Sequence, residues 1–292
     1  MTDIDYTELT VGSDTIRFDG TGAGTDGYYI TQEGIEGWYS MPSMQVTSTA
    51  RGQGDGNHDI QDDDIHYEAR VITMHTMIVG DRTDTLGKLA RLRRCSHRHV
   101  RIRVVDELMD AYCEGRATID ATAKRGEQII PDVTVTIECD RPEILSFRPQ
   151  RYQLLPPIES DRVGLSYGSA ARGLAYPLSY GAAAVDARNV CTLVNNGSSR
   201  AYPVFTVQGP WPDGVQLTFP GLDMSLDYSQ AVGSVPLVLD SRSRTASIGG
   251  LDVSRNLRQR GFPTVPPGGT TAVNLQSVGD GYVTVECRDT YM

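Results

Sequence analysis

The sequence predicts a mainly β protein with one short helix, organised as two β-sandwich domains. Three observations predict it. Glycine (30 residues) and proline (15) punctuate the whole chain. Between them, apolar residues recur at every second position in short stretches and seldom follow a helical period. The length of 292 residues exceeds the roughly 100 to 200 of one average domain, so each half can bury its own core.

In the first half, Tyr67 to Val79 (YEARVITMHTMIV) reads as one long strand or two short ones. The only helical pattern is near 84–95 (DTLGKLARLRRC), where Leu86, Leu89 and Leu92 recur at three-residue steps, with Asp84 as N-cap. Val100 to Val105 alternates, with Val100, Ile102 and Val104 inward and Arg101 and Arg103 toward water. Asp132 to Cys139 (DVTVTIEC) places Val133, Val135 and Ile137 on one face. The proline-marked stretch Arg141 to Pro157 cannot continue a central strand or helix, which sets the boundary between domains 1–150 and 151–292.

The second half begins with a small-residue strap, about 151–184, containing the echo LSYGSAA (165–171) and LSYGAAA (178–184), too brief for a structural repeat. Val190 to Val194, a turn at Asn195-Asn196-Gly197 and Tyr202 to Val207 read as a hairpin. Val235 to Leu239, Thr245 to Ile248, Thr271 to Leu275 and Tyr282 to Cys287 complete a series spaced for a sandwich.

Charge and composition exclude several classes. The net charge of -10 disfavours attraction to phosphate backbones or anionic lipid, so no nucleic acid partner is expected. No apolar run approaches the roughly 18 residues of a spanning helix, so no membrane insertion is expected. The start MTDIDYTELT lacks the basic and apolar regions of a secretory signal, and synthesis in a cytosol is expected. Cys95, Cys113, Cys139, Cys191 and Cys287 are odd in number and scattered, and read as small buried residues.

Motifs for chemistry fail in context. Gly22 to Gly27 fits GxGxxG but runs into Tyr28-Tyr29-Ile30, with no helix to receive a pyrophosphate. Gly164 to Gly168 fits GxSxG between loop-like flanks. Cys95, His97 and His99 lack a second cluster to close a metal site, so neither metal nor cofactor is expected. The acidic run Asp59 to Asp64 lacks the glycine and closing glutamate of a calcium loop. It contrasts with the basic Lys88, Arg91, Arg93, Arg94, Arg98, Arg101 and Arg103, and opposite patches suit head-to-tail assembly as well as independent solvated surfaces. Trp211, between Pro210 and Pro212, reads as packing or as a stacking platform for a sugar. With no compact group of nucleophile, base and oxyanion donor, no enzyme is expected.

The order of segments resembles the distal tail proteins, or minor tail proteins, of long-tailed, siphovirus-type bacteriophages. The likeness is carried by Gly37-Trp38-Tyr39, Arg51-Gly52-Gln53-Gly54-Asp55-Gly56 and Ala69-Arg70-Val71-Ile72, followed by the helix over Leu86 to Leu92. Glu138-Cys139-Asp140-Arg141-Pro142 stands where the family closes its first domain with a DP turn, from which Arg141 departs. Gly173 to Gly181, Val194 to Pro203, Val207 to Pro210, Leu239 to Val253 and Pro266 to Leu275 follow the family's later succession.

The resemblance implies an N-terminal ring-forming sandwich, a C-terminal galectin-like sandwich, and a structural role at the distal end of a virion tail, assembled in the bacterial host cytoplasm. It implies a hexameric ring joining the tail tube protein and tape-measure protein to the tail hub or baseplate and receptor-binding parts. The expected assembly residues are Leu86, Leu89 and Leu92 against the first sheet, with Arg91, Arg93 and Arg94 toward an adjacent subunit or the tail lumen. Strand edges must be covered, curled or paired, and pairing with neighbouring copies would close a ring. The alternative is a carbohydrate-binding module contacting the host cell wall through Trp211.

Overall fold

The computed structural model describes residues 4–20, 24, 26–61, 65–122, 128–157 and 188–292. It divides into two units, Met1–Arg148 with Thr290–Met292, and Pro149–Asp289. The last three residues therefore join the first unit, which corrects the expectation that 151–292 forms one domain.

In the first unit the strands are β1 (Ile4–Val11), β2 (Asp14–Asp19), β3 (Tyr28–Glu36), β4 (Met44–Gln45), β5 (His66–Tyr67), β6 (Val71–Val79), β7 (His99–Asp106), β8 (Asp110–Ala121), β9 (Ile129–Cys139) and β10 (Ile144–Ser146), with helix α1 (Arg82–Leu92) between β6 and β7. The main sheet runs β8-β7-β1-β2-β3-β6-β9, and β8 also pairs with β9, so the sheet closes on itself. Strand β8 is long enough to serve two partners on one side: Ala111 and Tyr112 pair with β10, and Gly115 to Ala121 pair with β9. The flanks expected to await neighbouring copies are thus largely paired within the unit. Alternation builds the core, since Leu9, Ile16, Phe18, Ile72, Met74, Ile102, Val135 and Ile137 point inward from facing strands.

The weakest join is between β2 and β3, which share a single parallel pair, Asp19 with Tyr29. Helix α1 ties this join from outside. The Tyr28 hydroxyl of β3 donates to the Lys88 carbonyl (3.0 Å), while Arg91 donates to the Asp14 carboxylate (2.5 Å) and the Thr15 carbonyl (3.0 Å) of β2. The N-cap is Asp81, whose carboxylate accepts from the Asp84 N–H at 2.9 Å, which corrects the expected cap at Asp84. The buried stripe is Thr85, Leu89 and Leu92. Leu86 is 43% exposed, because steps of three residues drift off a 3.6-residue period and carry it to the flank.

The second unit holds β11 (Gln150–Leu154), β12 (Val190–Val194), β13 (Val204–Gln208), β14 (Val215–Phe219), β15 (Met224–Tyr228), β16 (Leu237–Asp240), β17 (Thr245–Ile248), β18 (Leu251–Asp252), β19 (Leu257–Arg260), β20 (Thr270–Leu275) and β21 (Tyr282–Cys287). One sheet runs β11-β21-β13-β16-β17-β18 and the other β12-β20-β14-β15-β19. Their buried faces share one core that includes Leu193, Phe205, Phe219, Leu275 and Val285. Strand β22 (Thr290–Tyr291) then pairs with β10 in the first unit.

One expectation fails in this half. The segments around Asn195-Asn196-Gly197 are no hairpin, because β12 pairs with β20 in one sheet and β13 with β16 and β21 in the other. Asn195 is fully buried and its amide donates to the Ser199, Val265 and Pro266 carbonyls, so this turn crosses between layers. The division between the units, at Arg148 and Pro149, falls inside the proline-marked stretch Arg141 to Pro157, which carries the short strands β10 and β11 with Pro142, Pro149, Pro156 and Pro157 all outside them. The remainder of the strap, 158–187, with its echo and the GxSxG match, lies outside the described residues.

Candidate functional site

Between β3 and β6 the chain leaves the sheet as a narrow arm. Met44 and Gln45 pair with Tyr67 and His66, and a further bridge joins Ala50 to Asn57. Every residue from Ser43 to Gln61 is exposed. The arm carries Met41 at 62% and Met44 at 65% exposure. Such a two-stranded ribbon is marginal in water by itself.

Its root is fixed by Arg70, which is only 2% exposed. The guanidinium donates to the carbonyls of Gly37 (2.6 Å), Trp38 (3.1 Å), Ser40 (2.6 Å) and Pro142 (2.8 Å). Burial draws its pKa down, while Cys113, Cys139 and Glu143 nearby act the other way. Gly37 has φ +78°, and a Cβ there would run into the Val71 carbonyl oxygen, so only glycine allows the chain to turn outward at this point. Tyr39 adds a hydrogen bond from its hydroxyl to Asp106 (2.7 Å). The two sequence segments Gly37-Trp38-Tyr39 and Ala69-Arg70-Val71-Ile72 thus meet at one anchor, a contact across about thirty residues that no local pattern signals.

The second feature lies at the C-terminal end of α1, a cleft of ≈ 400 Å³ lined by Gly12, Ser13, Asp14, Arg91, Arg94 and Arg98, with Cys95 among its walls. Arg91 is engaged with Asp14, and this hydrogen bond holds the Asp14 carboxyl below its ordinary range. Other members of the basic run are also paired internally: Lys88 with Asp84 (2.6 Å), Arg101 with Glu114 (2.6 Å), and Arg103 with Glu8 (2.9 Å) and Asp110 (2.7 Å). Arg103 also stacks on Phe147 at 3.7 Å, so it does not simply face water as expected. The side chains of Arg93, Arg94 and Arg98 are exposed and make no hydrogen bond or ion pair among the described residues, although the charge of Arg94 lies close enough to help lower the Asp14 carboxyl.

The expected assembly residues therefore separate into three groups. Leu89 and Leu92 are spent on the core, Arg91 is spent on Asp14, and Leu86, Arg93 and Arg94 remain on the surface. Trp211 is 0% exposed, its Nε1–H donates to the Gln208 carbonyl (2.9 Å), and it lies against Gly279 and Gly281, where any Cβ would strike the indole. It offers no face to a sugar, which corrects its reading as a stacking platform.

Among the described residues no three His, Cys, Asp or Glu side chains converge to hold a metal ion. Cys95 is buried, its thiol pushed up to about 11 by desolvation, and His99 is hydrogen-bonded to Asp140 (3.1 Å). Of the acidic run, Asp59 pairs with Arg51 (2.8 Å), and Asp62 to Asp64 lie outside the described residues.

No protein-family model matches the chain, and no curated protein matches it. Solved structures do. The Dit protein of phage SPP1, described as a paradigm of the hub adsorption apparatus in phages infecting Gram-positive hosts, superposes with a TM-score of 0.61 at 13% identity, covering 98% of this chain and 99% of that one. The phage P2 baseplate in its activated conformation matches at TM-scores of 0.47 with calcium and 0.48 with strontium, at 12% and 11% identity, each over 97% of both chains. The likeness to SPP1 Dit is one of fold.

Proposed function

We propose that this chain is a structural protein of a phage tail tip, whose copies close into a ring that joins the tail tube to the hub and receptor-binding apparatus. The observation that carries this reading is the extent of the shared fold, which covers 98% of this chain and 99% of the SPP1 protein, and so takes in both units of this chain. An isolated sandwich recurs among unrelated functions. A likeness over nearly the full length of both chains is much narrower.

The rest of the molecule supports an assembly role. Its most exposed feature is an anchored arm with no core of its own, and the described residues present no metal cluster. The partners in this reading are further copies of the chain, six in all by the resemblance, with the tube, tape-measure and hub proteins above and below. The sugar-binding alternative loses its one named residue, since Trp211 is interior.

Native mass spectrometry and negative-stain electron microscopy of the purified chain test this. The expected result is a closed ring of six, with antibody label at the distal end of the tail in intact particles. A chain that stays monomeric at its highest soluble concentration, and label absent from tail tips, would overturn it.

A further inference from the structure

Cys113 on β8 and Cys139 at the end of β9 are buried, at 3% and 1% exposure. They lie one diagonal step apart on the inward face, because the register sets Cys139 opposite Gly115. Diagonal neighbours in a sheet usually stand about 7–8 Å apart, beyond the span of most disulfides. Here Gly115 lets the strands draw together, since a Cβ on it would come within 2.7 Å of the Cys139 Cα. The two sulfurs meet in an S–H···S hydrogen bond at 3.4 Å. We infer that they are an oxidisable pair, which a peroxide converts to a disulfide that fastens β8 to β9. That seam is the one that closes the sheet of the first unit on itself, and Cys139 also donates its N–H to the Arg70 carbonyl (2.8 Å). The bond therefore braces the strand ends beside the anchored root of the arm.

The surroundings give the two sulfurs different tasks. Of the five cysteines only Cys139 has its thiol drawn down, by the hydrogen bond shared with Cys113 and by the Arg70 guanidinium, against the opposing effect of burial. Cys113 is pushed up by the same hydrogen bond and by burial. Cys139 is thus the nucleophile and Cys113 the thiol that resolves. The Cys139 sulfur attacks one oxygen of hydrogen peroxide, the O–O bond breaks, and the departing hydroxide takes the Cys139 proton and leaves as water. A sulfenic acid remains on Cys139. The Cys113 sulfur then attacks the sulfenic sulfur, the S–O bond breaks, and the hydroxyl leaves with the Cys113 proton as a second water. The sulfurs together give up two electrons, which the peroxide oxygens take. To bond, the sulfurs close only from 3.4 Å to about 2.05 Å. For a virion component, which is the role proposed above, exposure to oxidants follows release from the reducing host cytosol. The chemistry itself needs neither a ring nor a tail.

The test uses the full chain, purified with a reductant that is then removed. After hydrogen peroxide treatment, denaturation and alkylation, intact-mass spectrometry should find two of the five cysteines protected and the chain lighter by two hydrogens. Peptide mapping should join the peptides that carry Cys113 and Cys139. The Tm of the first unit should rise by roughly 4–16 °C, and dithiothreitol should reverse the rise. Cys113→Ala should stop at a sulfenic acid on Cys139, trapped by dimedone, with no rise in Tm. Cys139→Ala should leave Cys113 unmodified at the same peroxide dose. The wild-type measurements decide the matter even where a variant fails to fold. Five free thiols after prolonged treatment, a sulfinic acid in place of the bond, a bond between other cysteines, or a bond that leaves the Tm unchanged or lowers it would each overturn the inference. None of these outcomes bears on the ring, which native mass spectrometry decides separately.

Discussion

Replacing Arg70 with methionine removes the charge that ties the arm to the body of the first unit. Four carbonyls accept from this side chain at 2.6–3.1 Å. The bond to Trp38 is fully buried and the other three are partly so, and Nη2 has no hydrogen-bond partner among the described residues, which subtracts from the gain. Hydrogen bonds to a charged group contribute about 1.5–3 kcal/mol each, but burying the guanidinium costs several kcal/mol. The net loss in Arg70→Met is therefore set mainly by the acceptors left without a donor, about 3–5 kcal/mol in total. For a unit of about 150 residues, at about 2–4 °C per kcal/mol, this lowers its Tm by roughly 6–20 °C. Differential scanning calorimetry should show the loss in the transition of the first unit, with that of the second in place. Hydrogen exchange should accelerate first at Gly37 to Ser40 and along the arm. Arg70→Lys, which keeps a charge but not the planar fork, should recover only part of the stability. A methionine variant within about 1 kcal/mol of wild type would refute the reasoning.

Leu92→Ala should cost about 2–5 kcal/mol in urea unfolding, because Leu92 is fully buried, whereas Leu86→Ala, at 43% exposure, should stay within about 1 kcal/mol. Asp14 has a depressed carboxyl pKa when folded, so its pairing with Arg91 stabilises the fold above the ordinary carboxylate range and is lost as pH falls through the lowered value. The stability difference between wild type and Asp14→Asn should accordingly vanish in strong acid, and a difference that persists there would count against the ion pair. It should also be small at neutral pH, since the Asp14 side chain is 42% exposed. Burial raises the thiols of Cys95 and Cys287 to about 11 and of Cys191 to about 12. The folded chain then holds these protons while the unfolded thiols ionise near 9, so stability should fall as pH rises through that window. Rapid reaction of any of the three with a thiol reagent at pH 8, before unfolding, would contradict their burial.

Strands whose inward residues alternate cleanly were legible. Asp132 to Cys139 forms most of β9, and Thr245 to Ile248 and Tyr282 to Cys287 coincide with β17 and β21. Strand β8 (DAYCEGRATIDA) was missed because its inward face is made mostly of small residues, Ala111, Cys113, Gly115, Ala117 and Ala121, and because Gly115 marks a close approach of β9, where a Cβ would meet the Glu138 carbonyl. The supposed hairpin at Asn195 failed because turn residues announce a change of direction without saying whether the next strand stays in the same sheet. At the candidate site, sequence located the basic run and the acidic run. It could not tell which bases were already satisfied, since the partners Glu8, Asp14 and Glu114 come from other strands. The anchoring role of Arg70 was equally hidden, depending on backbone carbonyls from two distant segments.

The pairing of β22 with β10 bears on how the protein is made. The half that emerges first from the ribosome receives its final strand only after the 141 residues of Pro149–Asp289 have been translated, a lag of roughly 7–28 s at about 5–20 residues per second. During that interval Ile144 and Leu145 have no hydrogen-bonding neighbour on that side, and a truncated product would carry the same vacancy. Completion of the earliest-made half thus reports that translation has run through the whole of the second.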